Sequence, residues 1–156
     1  MCGKRRGSAY GDIKLQIRNN RVSRFLLEVE MSRPESGPTI LLVDDEAPNV
    51  TTFSRVFRRD YRVRTAQSAE DALRALETEP VDVVITDYTM PQMSGVDLLA
   101  AVAQRWPAVG RVMISGHADL EELTIAKEKG LIQALLLKPW DREMVLKAIE
   151  RVLAPA

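Results

Sequence analysis

What the chain lacks narrows its identity first. Cysteine occurs once, at Cys2, so neither an internal disulfide nor a cysteine-built metal cage can form, and a lone thiol fits a reducing cytosol. No apolar run approaches membrane-spanning length. Nothing near the N-terminus reads as a signal peptide: Arg5-Arg6 is followed by no long apolar stretch, and Phe25-Leu26-Leu27 is too short for its hydrophobic region. These absences point to a cytoplasmic protein with no membrane partner. There is no net charge either, since 22 Lys/Arg offset 22 Asp/Glu. The balance is uneven, however. Residues 1–37 carry eight basic and four acidic side chains, whereas residues 38–156 carry fourteen and eighteen. The second part is mildly acidic, which argues against nucleic acid as its direct partner. Internal repeats and low-complexity segments are also missing.

What is present suits one domain plus a modest extension: 156 residues, 46% apolar and 28% charged. Residues 1–37 are expected to be an N-terminal extension. Ile13, Leu15 and Ile17 alternate, and Asn19-Asn20 could turn the chain back in a marginal hairpin. A disordered basic tail, or a true start at Met31 with everything before it a mis-assigned beginning, is the favoured reading.

From Thr39 onward, strands and helices alternate. Ile40-Leu41-Leu42-Val43 reads as a strand covered on both faces, ending on Asp44-Asp45-Glu46, with Pro48 placed for an early helical turn. Val50, Phe53 and Phe57 give that helix one apolar stripe. Tyr61, Val63 and Thr65 alternate with Arg62 and Arg64, as in an edge strand with one wet face. Ser68 is placed to cap a helix buried through Ala72, Leu73 and Leu76 and stopped by Pro80. Val81 to Thr86 forms a third strand that delivers Asp87. Ser94 caps the next helix, with Leu98, Leu99 and Val102 inside and Trp106-Pro107 at its end. Arg111 to Ile114 is a fourth strand ending at Ser115-Gly116-His117. Leu120 and Leu123 mark a helix closed by Gly130, and Ala134 to Leu137 is a fifth strand leading into Lys138-Pro139-Trp140. Asp141 caps a last helix, with Met144, Val145, Ala148, Ile149 and Val152 facing in. Five such units imply a doubly wound α/β fold with a parallel sheet.

In such a sheet ligands bind beyond the carboxyl ends of the strands. Those ends carry Asp44 and Asp45, Asp87, Ser115 and Lys138. Each alone is ordinary, because Asp and Ser cap helices and a lone Lys is usually solvated. Together they converge on one crevice. Three close carboxylates need a cation to stay ionised, and oxygen-only ligands favour Mg²⁺. A carboxylate, a hydroxyl, a lysine and Mg²⁺ are the parts required for phosphoryl transfer onto an Asp. That transfer needs no general base, since an ionised Asp is already a nucleophile.

Over residues 38–156 the sequence resembles a response-regulator receiver domain of two-component signalling. Asp44-Asp45, the Asp-x-x-Met-Pro-x-Met-x-Gly block from Asp87 to Gly95, Ser115-Gly116 and Lys138-Pro139 stand in that family's order. The resemblance implies a flavodoxin-like sheet of order 2-1-3-4-5 with five helices. It implies Asp87 as phospho-acceptor and Mg²⁺ held by Asp45, Asp87 and the backbone carbonyl of Thr89, with Asp44 assisting through water. It also implies that Ser115 binds the transferred phosphoryl group, that Lys138 pairs with it, and that the Lys138–Pro139 bond is cis. The donor would be a sensor histidine kinase or phosphotransfer protein, and the output contact with another protein. The chain is then a signalling domain rather than an enzyme.

Two features depart from the family pattern. Leu135 stands where an aromatic switch residue is usual, which shifts the expected signal to the Ser115 loop and the helix after it. Lys138-Pro139-Trp140-Asp141, with Asp87-Tyr88 and His117-Ala118-Asp119-Leu120, resembles receivers attached to cyclic-dinucleotide phosphodiesterase or transcription-activator outputs. His117, the only histidine, sits in a loop and reads as a modulator of dephosphorylation or a bystander. Trp106 and Trp140 read as packing residues, with Trp140 close enough to Lys138 to sense the site. Two rival readings remain. A phosphatase of the haloacid-dehalogenase type would carry an acid at position 89, where Thr89 stands, and would place its metal acids late in the chain. A phosphorylation-independent adaptor has only Leu135 in its favour.

Overall fold

The computed structural model describes residues 37–117 and 120–155. The hairpin, tail and alternative start considered for residues 1–36 lie outside the described residues, as do Ala118 and Asp119. The chain runs β1 (Thr39–Val43), α1 (Ala47–Phe57), β2 (Arg62–Ala66), α2 (Ala69–Thr78), β3 (Val83–Asp87), α3 (Gly95–Arg105), β4 (Gly110–Ser115), α4 (Glu121–Glu128), β5 (Ala134–Leu137) and α5 (Arg142–Leu153). All strand pairs are parallel, and the order is β2-β1-β3-β4-β5. The strand–helix alternation implied the doubly wound parallel sheet, and the resemblance implied this flavodoxin-like order.

The central strands are apolar throughout because both faces are covered. Leu41 and Val43 point into a core shared with α2, α3 and α4, while Ile40 and Leu42 point into one shared with α1 and α5. Serine and aspartate start three of the helices as expected. Ser68 accepts from Asp71 N–H, Ser94 from Asp97 N–H and Asp141 from Met144 N–H. Gly130 ends the chain segment after α4 at φ +73°, in the left-handed region that glycine enters without strain. Among the described residues no helix is long and apolar enough to cross a membrane.

Two readings of the strands need correcting. Thr65, expected on the covered face of β2, is exposed, because this edge strand is covered only at Val63 and Ala66. The third strand begins at Val83 rather than Val81. Arg111, near the start of β4, is only 7% exposed. Its guanidinium donates to the carbonyls of Val109 (2.9 Å), Gly130 (3.1 Å), Leu131 (3.2 Å) and Pro107 (3.3 Å). It therefore ties the loop before β4 to the loop before β5, and its charge lies beside the carbonyl end of α4. Arg111→Met is expected to lower the unfolding free energy by about 3 kcal/mol in a urea titration, because buried carbonyls lose a charged donor. Mg²⁺ affinity should be untouched, since Arg111 lies at the opposite strand ends from Asp87.

Candidate functional site

Strand register brings the site together. Val43 pairs with Thr86, Asp87 with Ile114, and Ser115 with Leu137, so the residues leaving these strands emerge side by side. Carboxylate oxygens of Asp44, Asp45 and Asp87 lie within 4.8 Å of one another. Asp44 is buried and Asp45 exposed. Lys138 reaches across from β5 and places Nζ 3.0 Å from Asp87 Oδ1. The Lys138–Pro139 peptide bond is cis, as the resemblance implied. Thr89 is exposed in the β3–α3 loop, two residues beyond Asp87.

Burial pushes the Asp87 carboxyl above the ordinary value; the hydrogen bond and charge of Lys138 oppose this, while the charge of Asp44 adds to the rise. At Lys138, burial pulls the ammonium down, but hydrogen bonding and attraction from Asp87, with Asp44 and Glu46, more than offset it and hold its pKa up. The two partners thus report one imbalance: a single ammonium serves several carboxylates. A hard divalent cation would correct it, and the donor set of carboxylate oxygens without nitrogen or sulfur suits such an ion.

Ser115 arrives at the strand tip, but its hydroxyl is already occupied. It donates to His117 O (2.9 Å) and accepts from His117 N–H (3.0 Å), and the residue is 1% exposed. His117 therefore enters the site through its backbone, while the residue itself is exposed. Trp140 packs against Phe53 and Phe57, with ring centroids 5.8 and 5.9 Å apart. Trp140 also lines a cleft of about 570 Å³ together with Asp44, Asn49, Lys138 and Ile114. Trp106 ends α3, packs on the core, and carries the Arg105 guanidinium 4.3 Å above its ring.

Sequence reasoning missed two contacts. Tyr88, next to Asp87, donates its hydroxyl to Glu122 on α4, a pairing 34 residues apart with no local signal. The Asn49 amide donates to Asp44 and Glu46. Its only sequence signal is an amide in the first turn of a helix, where it is a poor helix former.

The comparisons agree with this geometry. The family profile described as "Response regulator receiver domain" matches residues 40–150. Among curated relatives, the hydrogenase transcriptional regulatory protein HoxA of Cupriavidus necator is 34% identical over 113 residues, covering 72% of this chain and 23% of that protein. The chain thus spans about a quarter of the length of that relative. The two-component response regulator ORR3 of Oryza sativa is 34% identical over 124 residues, covering 77% of this chain and 94% of that protein. A solved signal receiver domain of an HD domain-containing protein from Pseudomonas fluorescens Pf-5 superposes with a TM-score of 0.71 at 34% identity, covering 76% of this chain and 95% of that one.

Proposed function

The chain belongs to the response regulator receiver domain family, and from that premise we propose that Asp87 accepts a phosphoryl group from a phosphohistidine on a sensor kinase or phosphotransfer protein. The observation that carries this reading is the convergence of three carboxylates and one lysine at the strand tips, with Lys138 Nζ 3.0 Å from Asp87 Oδ1. An ionised Asp87 oxygen attacks phosphorus, the nitrogen–phosphorus bond breaks, and the donor imidazole leaves with its electron pair. A Mg²⁺ ion held by Asp44, Asp45, Asp87 and the Thr89 carbonyl would supply charge neutralisation for the phosphoryl oxygens. Lys138 supplies a second positive charge beside the acceptor. Ser115 gives up its two bonds with the His117 backbone and turns its hydroxyl to the new phosphoryl oxygen.

The same rearrangement offers an output route. α4 buries only Leu123 and Ala126 and has no side-chain cap at its start, so it is lightly held. The Tyr88–Glu122 hydrogen bond connects it to the residue beside Asp87. With Leu135 in place of an aromatic residue, the shift of Ser115 and the adjoining loop biases α4 between two positions. A downstream protein reads that face by contact.

The test is incubation with a small phosphodonor, with and without Mg²⁺, followed by intact-mass spectrometry. One phosphoryl group should be gained only when Mg²⁺ is present. In a Trp106→Phe background the emission of Trp140 should change on Mg²⁺ addition and change again with beryllofluoride, since Trp140 shares a cleft with Asp44 and Lys138. No mass gain with Mg²⁺, or an equal gain in chelator, would sink the proposal.

A further inference from the structure

We propose that Asn49 is a positioning residue for the cation site, acting through Asp44; this rests on the Mg²⁺ reading given above. α1 begins unusually. Its N-cap is Glu46, whose side chain makes no capping bond, and its first turn carries no acid. Asn49 sits in that turn, and its side chain points back out of the helix. Nδ2 donates one hydrogen to Asp44 Oδ2 at 3.0 Å and the other to Glu46 Oε2 at 2.9 Å. Both neighbours are carboxylates that only accept, so the chemistry fixes which way the amide faces. The Glu46 N–H donates to the remaining Asp44 oxygen, Oδ1, at 2.9 Å.

Two consequences follow. Each oxygen of Asp44 is held by one donor and keeps lone-pair capacity for the cation or its water, so the carboxylate plane is set before any ion arrives. Glu46, a fourth acid beside three, is held by Asn49 instead of competing for the ion. This is the arrangement in which an outer partner orients a ligand, and loss of such partners costs about 10- to 100-fold in metal affinity. Mg²⁺ demands near-ideal octahedral geometry, whereas Ca²⁺ tolerates irregular ligation. Fixing Asp44 therefore favours Mg²⁺ more than Ca²⁺.

The experiment is calorimetric titration of Mg²⁺ and of Ca²⁺ into the full chain, for wild type, Asn49→Ala and Asn49→Leu. Leucine keeps the branched four-atom side-chain shape without its hydrogen bonds and favours helix, so it covers the case in which the alanine variant fails to fold. Mg²⁺ affinity should fall about tenfold or more, Ca²⁺ affinity by a smaller factor, and melting in chelator should stay close to wild type. In an Asp44→Asn background, Asn49→Leu should cost no further Mg²⁺ affinity. Unchanged Mg²⁺ affinity, equal losses for both ions, or an undiminished loss in the Asp44→Asn background would overturn the role of Asn49. A wild type that binds no Mg²⁺ would instead overturn the cation reading, and this inference with it.

Discussion

Asp87→Asn should take up no phosphoryl group from any donor, falling to background while the fold survives. An amide keeps the shape and some of the hydrogen bonding of Asp87 but has no nucleophilic carboxylate, and neither Asp44 nor Asp45 has Lys138 at 3.0 Å. The same variant should melt higher than wild type in chelator at neutral pH. The sign follows from linkage. The Asp87 pKa is raised from 3.8 in the folded chain, chiefly by burial, despite the opposing pull of Lys138 and with a further push from Asp44. A carboxyl that holds its proton more tightly when folded destabilises the fold once ionised. That penalty is absent below the unfolded value of 3.8, grows as pH rises through the folded value, and persists above it. Asn carries no such penalty, so the advantage of Asp87→Asn should shrink on acidification. It should also shrink when Mg²⁺ is added to both proteins, because ion binding stabilises the wild type by mass action. Melting curves in chelator and in Mg²⁺ across acid and neutral pH check all three statements. A variant that melts lower at neutral pH would contradict the electrostatic account, and phosphoryl uptake by the variant would contradict the assignment of Asp87.

Gly95→Ala should damage both stability and phosphorylation, whereas Gly116→Ala should be nearly silent. A Cβ on Gly95 would fall 2.3 Å from the Asp87 carbonyl oxygen and 3.1 Å from both the Asp87 carbonyl carbon and Met113 Cε. The nearest obstacle is backbone, so relief requires moving the peptide that carries the acceptor itself. Thr86 Oγ1 donates to that same carbonyl at 3.0 Å, and Gly95 N–H donates to Tyr88 O at 3.0 Å, so the loop is held from both sides. Overpacking of this kind costs about 1–3 kcal/mol. The displaced acceptor should slow phosphoryl uptake beyond what the fraction unfolded explains. At Gly116 a Cβ meets nothing within 4 Å. Urea titration and single-turnover labelling of the two variants side by side separate the cases. Equal behaviour would mean that the close approach at Gly95 is relieved elsewhere.

Much of this protein was legible in local pattern because the signals are local in origin. A strand covered on both faces has to be apolar throughout, and Ile40-Leu41-Leu42-Val43 and Ala134-Leu135-Leu136-Leu137 are. A helix start needs a side-chain acceptor for its free N–H groups, and Ser68, Ser94 and Asp141 supply one. A right-handed strand–helix–strand path then places Asp44, Asp45, Asp87, Ser115 and Lys138 at one edge of the sheet. Element order, sheet type and the residues that meet at the strand tips were therefore determined by the sequence alone.

Tertiary structure decided the contacts whose partners are set by packing and not by period. Arg111 reads in the sequence only as the start of a strand, and its buried place exists only once the loops before β4 and β5 supply carbonyls around it. Thr65 fits the alternation of a half-covered strand, yet β2 lies at the sheet edge, where nothing covers that position. Gly95 and Gly116 both stand in the motifs that carry the family resemblance, and only the path of the Asp87 peptide makes one irreplaceable. Ser115 was read as a phosphoryl ligand, and only the loop geometry shows its hydroxyl already engaged by His117. Tyr88 meets Glu122 and Asn49 meets Asp44 because folding brings their polar ends within about 3 Å, a distance at which a hydrogen bond forms or fails. Periodicity carries no information at that resolution.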